Sequence, residues 1–284
     1  MGAPSEGRLI RAESVEAALA ASASGARFLA GGTWLMRAPV RGERLSGCFV
    51  TLSGIEGMAR VEAGPDRVEI GAGVTHEALA AALSGLSGLG ALRAAARGAA
   101  NPGVRRLATI GGNLCAVDFA ASDLAPALIA LGAEAACETA DGPLRLPVEE
   151  FLARRAALLP GALLRSVSVP LGPARSAHAR LPLRKAGDYP VAILSLAAVI
   201  EGGAVKAARV GVGSVEPVAR RWPGLEAALA GAPLDPDSAA EAARARLGDF
   251  APRDGVEAEG WYRIEVLPAL VRRAAAALLA GDAG

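Results

Sequence analysis

The 284-residue chain predicts an α+β fold in two parts. It is long enough to bury more than one core, and 52% of its residues are hydrophobic, which excludes a disordered chain. Its composition changes at 171–175, "LGPAR", as at a boundary between parts. Beyond that point, strand-like runs at 178–183, 191–200 and 204–215 precede helical patterns at 223–230, 238–247 and 257–279. Strands clustered ahead of helices suggest α+β packing rather than a βαβ series.

Ahead of the boundary, Ser14 is a candidate cap for a helix over 14–23, with Val15, Ala18 and Leu19 on one face. "RFLAGGT" reads as a short strand running into a Gly-Gly turn, and "CFVTL" and "RVEIGAG" are strand-like. Thr75 can cap a helix through "HEALAAALSGL", and a helix over 123–131 is entered through Ser122. "EAACET", "LRLPV" and the alternating "LLRSVSVP" read as strands, the last stopped by Pro170.

Charge and cysteine usage narrow the function. Thirty basic residues against 29 acidic ones leave a net charge of +1, which favours neither nucleic acid nor an anionic membrane as partner. Cys48, Cys115 and Cys137 are far apart with no CxxC, and the only histidines are His76 and His178. A structural zinc site or an iron–sulfur cluster on this chain alone is not expected. The odd, scattered thiols suit a reduced cytoplasmic setting. The start "MGAPSEGRLI" has no apolar signal core, and the apolar run at 191–200 is too short to span a bilayer.

Three stretches carry candidate chemistry. "GAGVTH" (71–76) lacks the third small residue and the downstream acid of a dinucleotide fingerprint. It reads as a strand-to-helix turn, with His76 a first-turn surface residue. "AGGT" (30–33) and "TIGGN" (109–113) each place a glycine pair among hydrogen-bonding side chains, and either alone is an ordinary turn. Together, and without a P-loop lysine, they fit one extended dinucleotide-like cofactor, because a glycine lets backbone N–H groups approach a pyrophosphate that a Cβ would hold away. On that reading a Val at Gly111 or Gly112 blocks the anion and leaves the fold largely intact. Asp118, Asp123 and Asn113 could hold ribose or ribityl hydroxyls, although a carboxylate in a first helical turn also serves the helix dipole alone.

In this order, "AGGT", "TIGGNL" and "SDLAPALIALGAE" resemble the FAD-binding medium subunit of molybdenum hydroxylases, the carbon monoxide dehydrogenase and xanthine dehydrogenase family. The similarity runs on through "LPVEEFL", "GALLRSVSVP", "RKAGDYPVAILSLAAVI", "SVEPVARRWPGLEAALAG" and "WYRIEVLPALVRRA", essentially the whole chain. It implies a PCMH-type FAD-binding region over 1–172, with subdomains near 1–54 and 55–172, followed by a C-terminal α+β domain over 173–284. It implies non-covalent FAD, with Ala30, Gly31, Gly32 and Thr33 and then Thr109, Gly111, Gly112 and Asn113 around the pyrophosphate. Asp123 would contact the cofactor and Leu164 would pack near the flavin. Lys185, Asp188 and Tyr189 would approach the isoalloxazine, and Arg180 lies near a basic position that contacts FAD. Two positions depart from the family. Trp34 either stacks on a ring or fills the core, with packing favoured, and Arg106 either adds a cation or faces solvent.

The resemblance also implies partners: a large subunit with the molybdenum cofactor and a small subunit with two [2Fe–2S] clusters, in a dimer of heterotrimers. This oxidoreductase subunit would pass electrons from those clusters to an external acceptor. Two rivals remain at this stage. One is a stand-alone FAD-dependent reductase of related fold, and the other is a flavin-free assembly module.

Overall fold

The computed structural model describes residues 7–183 and 189–281. Lys185 and Asp188 lie outside the described residues. Three sheets build the chain. The first is parallel, in the order β1 (Arg8–Arg11), β3 (Cys48–Thr51), β2 (Arg27–Leu29). Helix α1 (Val15–Ala23) carries the chain from β1 to β2, on opposite sides of β3, its first turn capped by Ser14 Oγ accepting from Ala17 N at 3.1 Å.

The second sheet is antiparallel, in the order β4 (Val61–Ala63), β5 (Arg67–Gly71), β8 (Ala162–Pro170), β6 (Glu134–Thr139), β7 (Gly142–Pro147). Between β5 and β6 the chain makes α2 (His76–Ala82), α3 (Gly90–Gly98), α4 (Pro102–Arg105), α5 (Ile110–Cys115) and α6 (Leu124–Ala130). Helix α7 (Val148–Leu158) leads from β7 to β8. One hydrophobic core serves the first two sheets and α6.

The third sheet, β12 (Arg220–Arg221), β11 (Ala204–Gly213), β10 (Pro190–Glu201), β9 (Arg175–Pro182), is antiparallel and has a separate core with the helices that follow it. Its β10–β11 hairpin closes on Gly202 and Gly203, at φ 59° and 83°, the backbone that a two-residue turn of matching twist requires. The helices are α8 (Pro223–Leu229), α9 (Pro236–Arg244), α10 (Gly260–Glu265) and α11 (Leu267–Ala280). The helix expected over 257–279 is therefore two. Pro268 has no N–H to donate back into a preceding turn, so it sits in the first turn of α11, where that donor is not needed. Among the described residues no helix is long and apolar enough to cross a membrane.

Helix α6 joins the two cores. All seven of its residues are buried, and each fully buried Leu or Ile contributes about 2 kcal/mol. Its far face is covered by β11. A Cβ on Gly211 would lie 2.1 Å from Pro126 O, and one on Gly213 would lie 3.1 Å from Pro126 Cγ. The Arg209 guanidinium donates to Ile129 O at 3.2 and 3.3 Å, placing a cation and two donors at the carbonyl end of the helix. Because the Gly211 contact is with backbone, no rotamer change relieves it. Gly211→Val is expected to lower stability by about 3 kcal/mol; an unchanged denaturant midpoint would show that β11 and α6 separate freely.

Candidate functional site

The two glycine loops face each other. The loop 30–33 leaves the end of β2, and its neighbour is the backbone of Leu107 and Ala108, so close that a Cβ on Gly31 would stand 1.7 Å from Leu107 O. Gly32 adopts φ +70°, a conformation in which side chains are strained. Among the described residues the N–H groups of Gly31, Gly32 and Thr33 donate to nothing. They line a cavity of about 330 Å³ together with Ala30, Thr109, Gly112, Asn113, Trp34 and Tyr189. A second, more apolar cavity of about 520 Å³ adjoins it, with Phe28, Ala30, Gly112 and Cys115 in both walls and Gly111 and Leu164 in the second. Together they offer the elongated space a dinucleotide needs.

"TIGGN" is not a bare loop. Thr109 caps α5, its Oγ1 accepting from Gly112 N at 3.0 Å, so the two glycines stand in the first turn of a helix. They are not equivalent. Gly111 is buried, its N–H donates to Ala72 O at 2.8 Å, and a Cβ there would meet that oxygen at 2.7 Å and Ala72 Cβ at 2.8 Å. Gly111 is a packing glycine. Gly112 is exposed on the cavity wall, and its only close neighbour for a new Cβ is Thr109 Oγ1 at 3.1 Å. The expectation that Val at either position spares the fold is corrected by these contacts.

The Asn113 amide oxygen accepts from Ser122 Oγ at 2.5 Å, and Ser122 Oγ in turn caps α6 by accepting from Ala125 N at 3.2 Å. Asn113 lines the cavity, and its NH2 has no partner among the described residues. Arg155, 3% exposed, donates to Leu114 O and Val117 O, both at 2.9 Å, and so closes α5 and holds the loop that carries Phe119.

Trp34, Phe119 and Tyr189 form the mouth. Ring centroids are 4.7 Å apart for Trp34–Phe119 and 5.3 Å for Phe119–Tyr189. The Arg37 guanidinium donates to Tyr189 Oη at 2.5 Å, and Arg41 lies 4.2 Å over the Trp34 ring. Trp34 packs against the Phe119 and Tyr189 rings, half-buried in the cavity wall and outside both cores, so the core packing favoured from sequence is corrected. Burial pushes the Tyr189 phenol up, opposed by Arg37 and Arg41. The backbone after Tyr189 is fixed from the C-terminal domain: Ser214 Oγ donates to Pro190 O at 2.6 Å, and the fully buried Arg263 donates to Val191 O at 2.8 Å.

The carboxylates divide. Asp118 is exposed and does not line the cavity, and Arg106 is also exposed. Asp123 is 1% exposed and sits behind the cavity wall, with Oδ1 at 3.4 Å from His178 Nε2 and 3.1 Å from Arg180 Nε, both on β9. His178 Nδ1 is 2.9 Å from Ser195 Oγ. His76, expected on the surface, is 2% exposed and lines the cavity, because its helix is pinned beneath α5 by His76 N donating to Ala108 O at 2.9 Å. Burial lowers its pKa to about 4; Asp123 opposes that shift and Arg105 adds to it. Burial also pushes the Cys115 thiol up to about 12, so this cavity-lining sulfur stays protonated and a poor nucleophile.

The family described as FAD binding domain in molybdopterin dehydrogenase matches residues 5–172, and CO dehydrogenase flavoprotein C-terminal domain matches 178–278. The chain belongs to the molybdopterin dehydrogenase flavoprotein family. It is 31% identical to the 6-hydroxypseudooxynicotine dehydrogenase complex subunit alpha of Paenarthrobacter nicotinovorans, over 94% of this chain and 93% of that protein. It is 27% identical to the glyceraldehyde dehydrogenase medium chain of Sulfolobus acidocaldarius, over 60% of this chain and 61% of that one. Among solved structures it superposes on a chain of the reconstituted CO dehydrogenase from Oligotropha carboxidovorans with TM-score 0.87 at 26% identity, covering 99% of this chain and 100% of that one. For CO dehydrogenase from Hydrogenophaga pseudoflava the TM-score is 0.88 at 25% identity, over 98% and 99% of the two chains. This is an oxidoreductase subunit whose cofactor is FAD, related to subunits of multi-subunit dehydrogenases.

The two glycines should separate in mutagenesis. Gly112→Val is expected to keep the melting temperature within a few degrees and lose FAD, while Gly111→Val loses stability by about 2–3 kcal/mol through its clash with Ala72. Flavin stoichiometry and thermal melts on both proteins check this, and full FAD occupancy in Gly112→Val would contradict it. His76 gives a pH signature. Its folded pKa lies below the unfolded value near 6.5, so the unfolded state binds the proton first. The stability held above pH 6.5 should therefore fall by up to about 3 kcal/mol between pH 6.5 and 4. His76→Phe should flatten that window in a pH series of denaturant melts, and parallel curves for both proteins would refute it.

Proposed function

We propose that this chain is the electron-transfer flavoprotein of a cytoplasmic molybdenum hydroxylase complex, receiving electrons from [2Fe–2S] clusters on a small partner and delivering them to an external acceptor. The observation that carries the reading is the convergence of unbonded N–H groups from Gly31, Gly32 and Thr33 with Thr109, Gly112 and the Asn113 NH2 on one elongated space. Donors without partners, on backbone that glycine leaves uncovered, suit a pyrophosphate.

FAD supplies the redox chemistry, and this chain holds, orients and shields it. We assign Ala30, Gly31, Gly32 and Thr33 and the turn Thr109–Asn113 to the phosphate region, with Gly111 acting through packing. Leu164 forms part of the apolar wall, and Tyr189 with Trp34 and Phe119 covers the mouth. Asp123 acts from behind the wall. Residues 1–172 form the FAD-binding region, divided near 54/55, and 173–284 the domain that closes over it. Substrate oxidation belongs to a large molybdenum-cofactor subunit, in a dimer of heterotrimers.

Attachment of the flavin is non-covalent on this reading, since the sequence shows no motif for covalent attachment and His76 and His178 lie outside the two glycine loops. Acid precipitation of the native complex is expected to leave all the flavin in the supernatant, and a yellow pellet would overturn this. The native complex should show flavin and [2Fe–2S] absorbance together. A chain that purifies alone with flavin but no clusters would favour the stand-alone reductase, and one with no flavin, even after FAD is added, the assembly module.

A further inference from the structure

The sequence has two histidines, and both belong to the surroundings of Asp123. They are held differently. His178 has Ser195 Oγ at 2.9 Å on one nitrogen and Asp123 on the other side. His76 is 2% exposed and lines the cavity, and neither its Nδ1 nor its Nε2 has a hydrogen-bond partner among the described residues. A buried imidazole with both nitrogens unsatisfied is costly and calls for a partner. Its main chain is already bonded, His76 N to Ala108 O at 2.9 Å, so the ring alone is in question.

Asp123 Oδ1 lies at ion-pair distance from Arg180 and His178, and its charge acts on the His76 ring from farther away. Both orphaned nitrogens are satisfied if the cavity supplies the partners, a donor for the lone pair of one and an acceptor for the N–H of the other. The charged groups around the ring are Asp123 at the start of α6 and Arg105 on α4, itself paired with Glu77 at 3.4 Å, with Arg180 and His178 beyond on β9. Burial and Arg105 keep the ring neutral against Asp123. An acceptor lone pair does not suit a pyrophosphate, which itself only accepts, but it does suit a hydroxyl.

We propose that His76 is a further cofactor-binding residue, whose cavity-facing imidazole accepts a hydrogen bond from a ribose or ribityl hydroxyl of FAD. This rests on the FAD reading above. No proton is gained or lost in forming the contact: the hydroxyl keeps its hydrogen and the ring stays neutral.

The test uses the full chain with its co-purifying subunits, stripped of flavin and titrated with FAD. His76→Phe is expected to weaken FAD binding by about tenfold, the worth of one net hydrogen bond. His76→Gln, which keeps an acceptor, should bind within about threefold of wild type. Flavin-free His76→Phe should melt at or above wild type, since a costly buried polar ring has been removed. Titration calorimetry at pH 7 in two buffers of different ionisation enthalpy should show no net proton uptake. Imidazole nitrogen NMR, simple with two histidines, reads the same contact without a mutation, as a shift of one His76 nitrogen on FAD addition. Unchanged affinity in His76→Phe together with unmoved His76 resonances would overturn the proposal. Uptake of one proton per FAD would also overturn it, in favour of an imidazolium on phosphate. Failure of the wild type to bind FAD at all would instead remove the functional reading beneath it.

Discussion

Helix α6 has no face toward water, because its seven residues are buried on one side by the FAD-binding region and on the other by the C-terminal sheet. An apolar helix can persist in that state only while both covers are in place. The glycines at 211 and 213 let β11 approach its backbone, and Arg209 satisfies its terminal carbonyl region. The start of α6 is also the end of the segment carrying Thr109, Gly112, Asn113 and Phe119. The docking of the third sheet therefore fixes the floor of the cavity as well as the joint between domains.

The same joint explains the polar residues around it. Asp123 opens α6 and meets His178 and Arg180 from β9, so a carboxylate that would be expensive to bury alone is compensated across the domain boundary. Ser214 and Arg263 tie down the carbonyls of Pro190 and Val191 from the same domain, which sets where Tyr189 leaves the sheet. The C-terminal domain thus contributes an aromatic to the mouth and a charge cluster to the back wall. Removing it would disturb both ends of the site, although the glycine loops belong to the other part of the chain.

Much of this was legible in the sequence where the signal is local. Ser14 and Thr75 cap the helices they were expected to cap, and Ser122 accepts from Ala125 N where the chain enters α6, because a hydroxyl three residues ahead of a free N–H needs nothing distant. The strands with alternating or fully apolar patterns were readable for the same reason. The short exposed strand β1, with arginine at both ends, offers no such pattern. Helix α3 has no cap of its own, and Ser176 Oγ on β9 accepts from Ala91 N at 3.0 Å instead, a cap supplied from 85 residues away. At the site, the glycine pairs marked the right loops but not the different tasks of Gly111 and Gly112. His76 was misplaced because burial beneath α5 depends on the Thr75–Thr109 pairing, which no local pattern announces. Phe119 lay within the stretch that drew attention, yet a single aromatic in a polar loop carries no direction until its neighbours are in place.

Gly31 bears on how the cofactor comes and goes. The two loops already touch backbone to backbone there, with no room for even a methyl group before Leu107 O is reached. Such a contact is a hard stop: the cleft cannot tighten around a guest, so its width is set before anything enters. Preorganisation of this kind spares the ordering cost that a closing lid would incur on association. With the cofactor in the proposed place, its entry and exit use the cleft at the width that the Gly31–Leu107 contact sets.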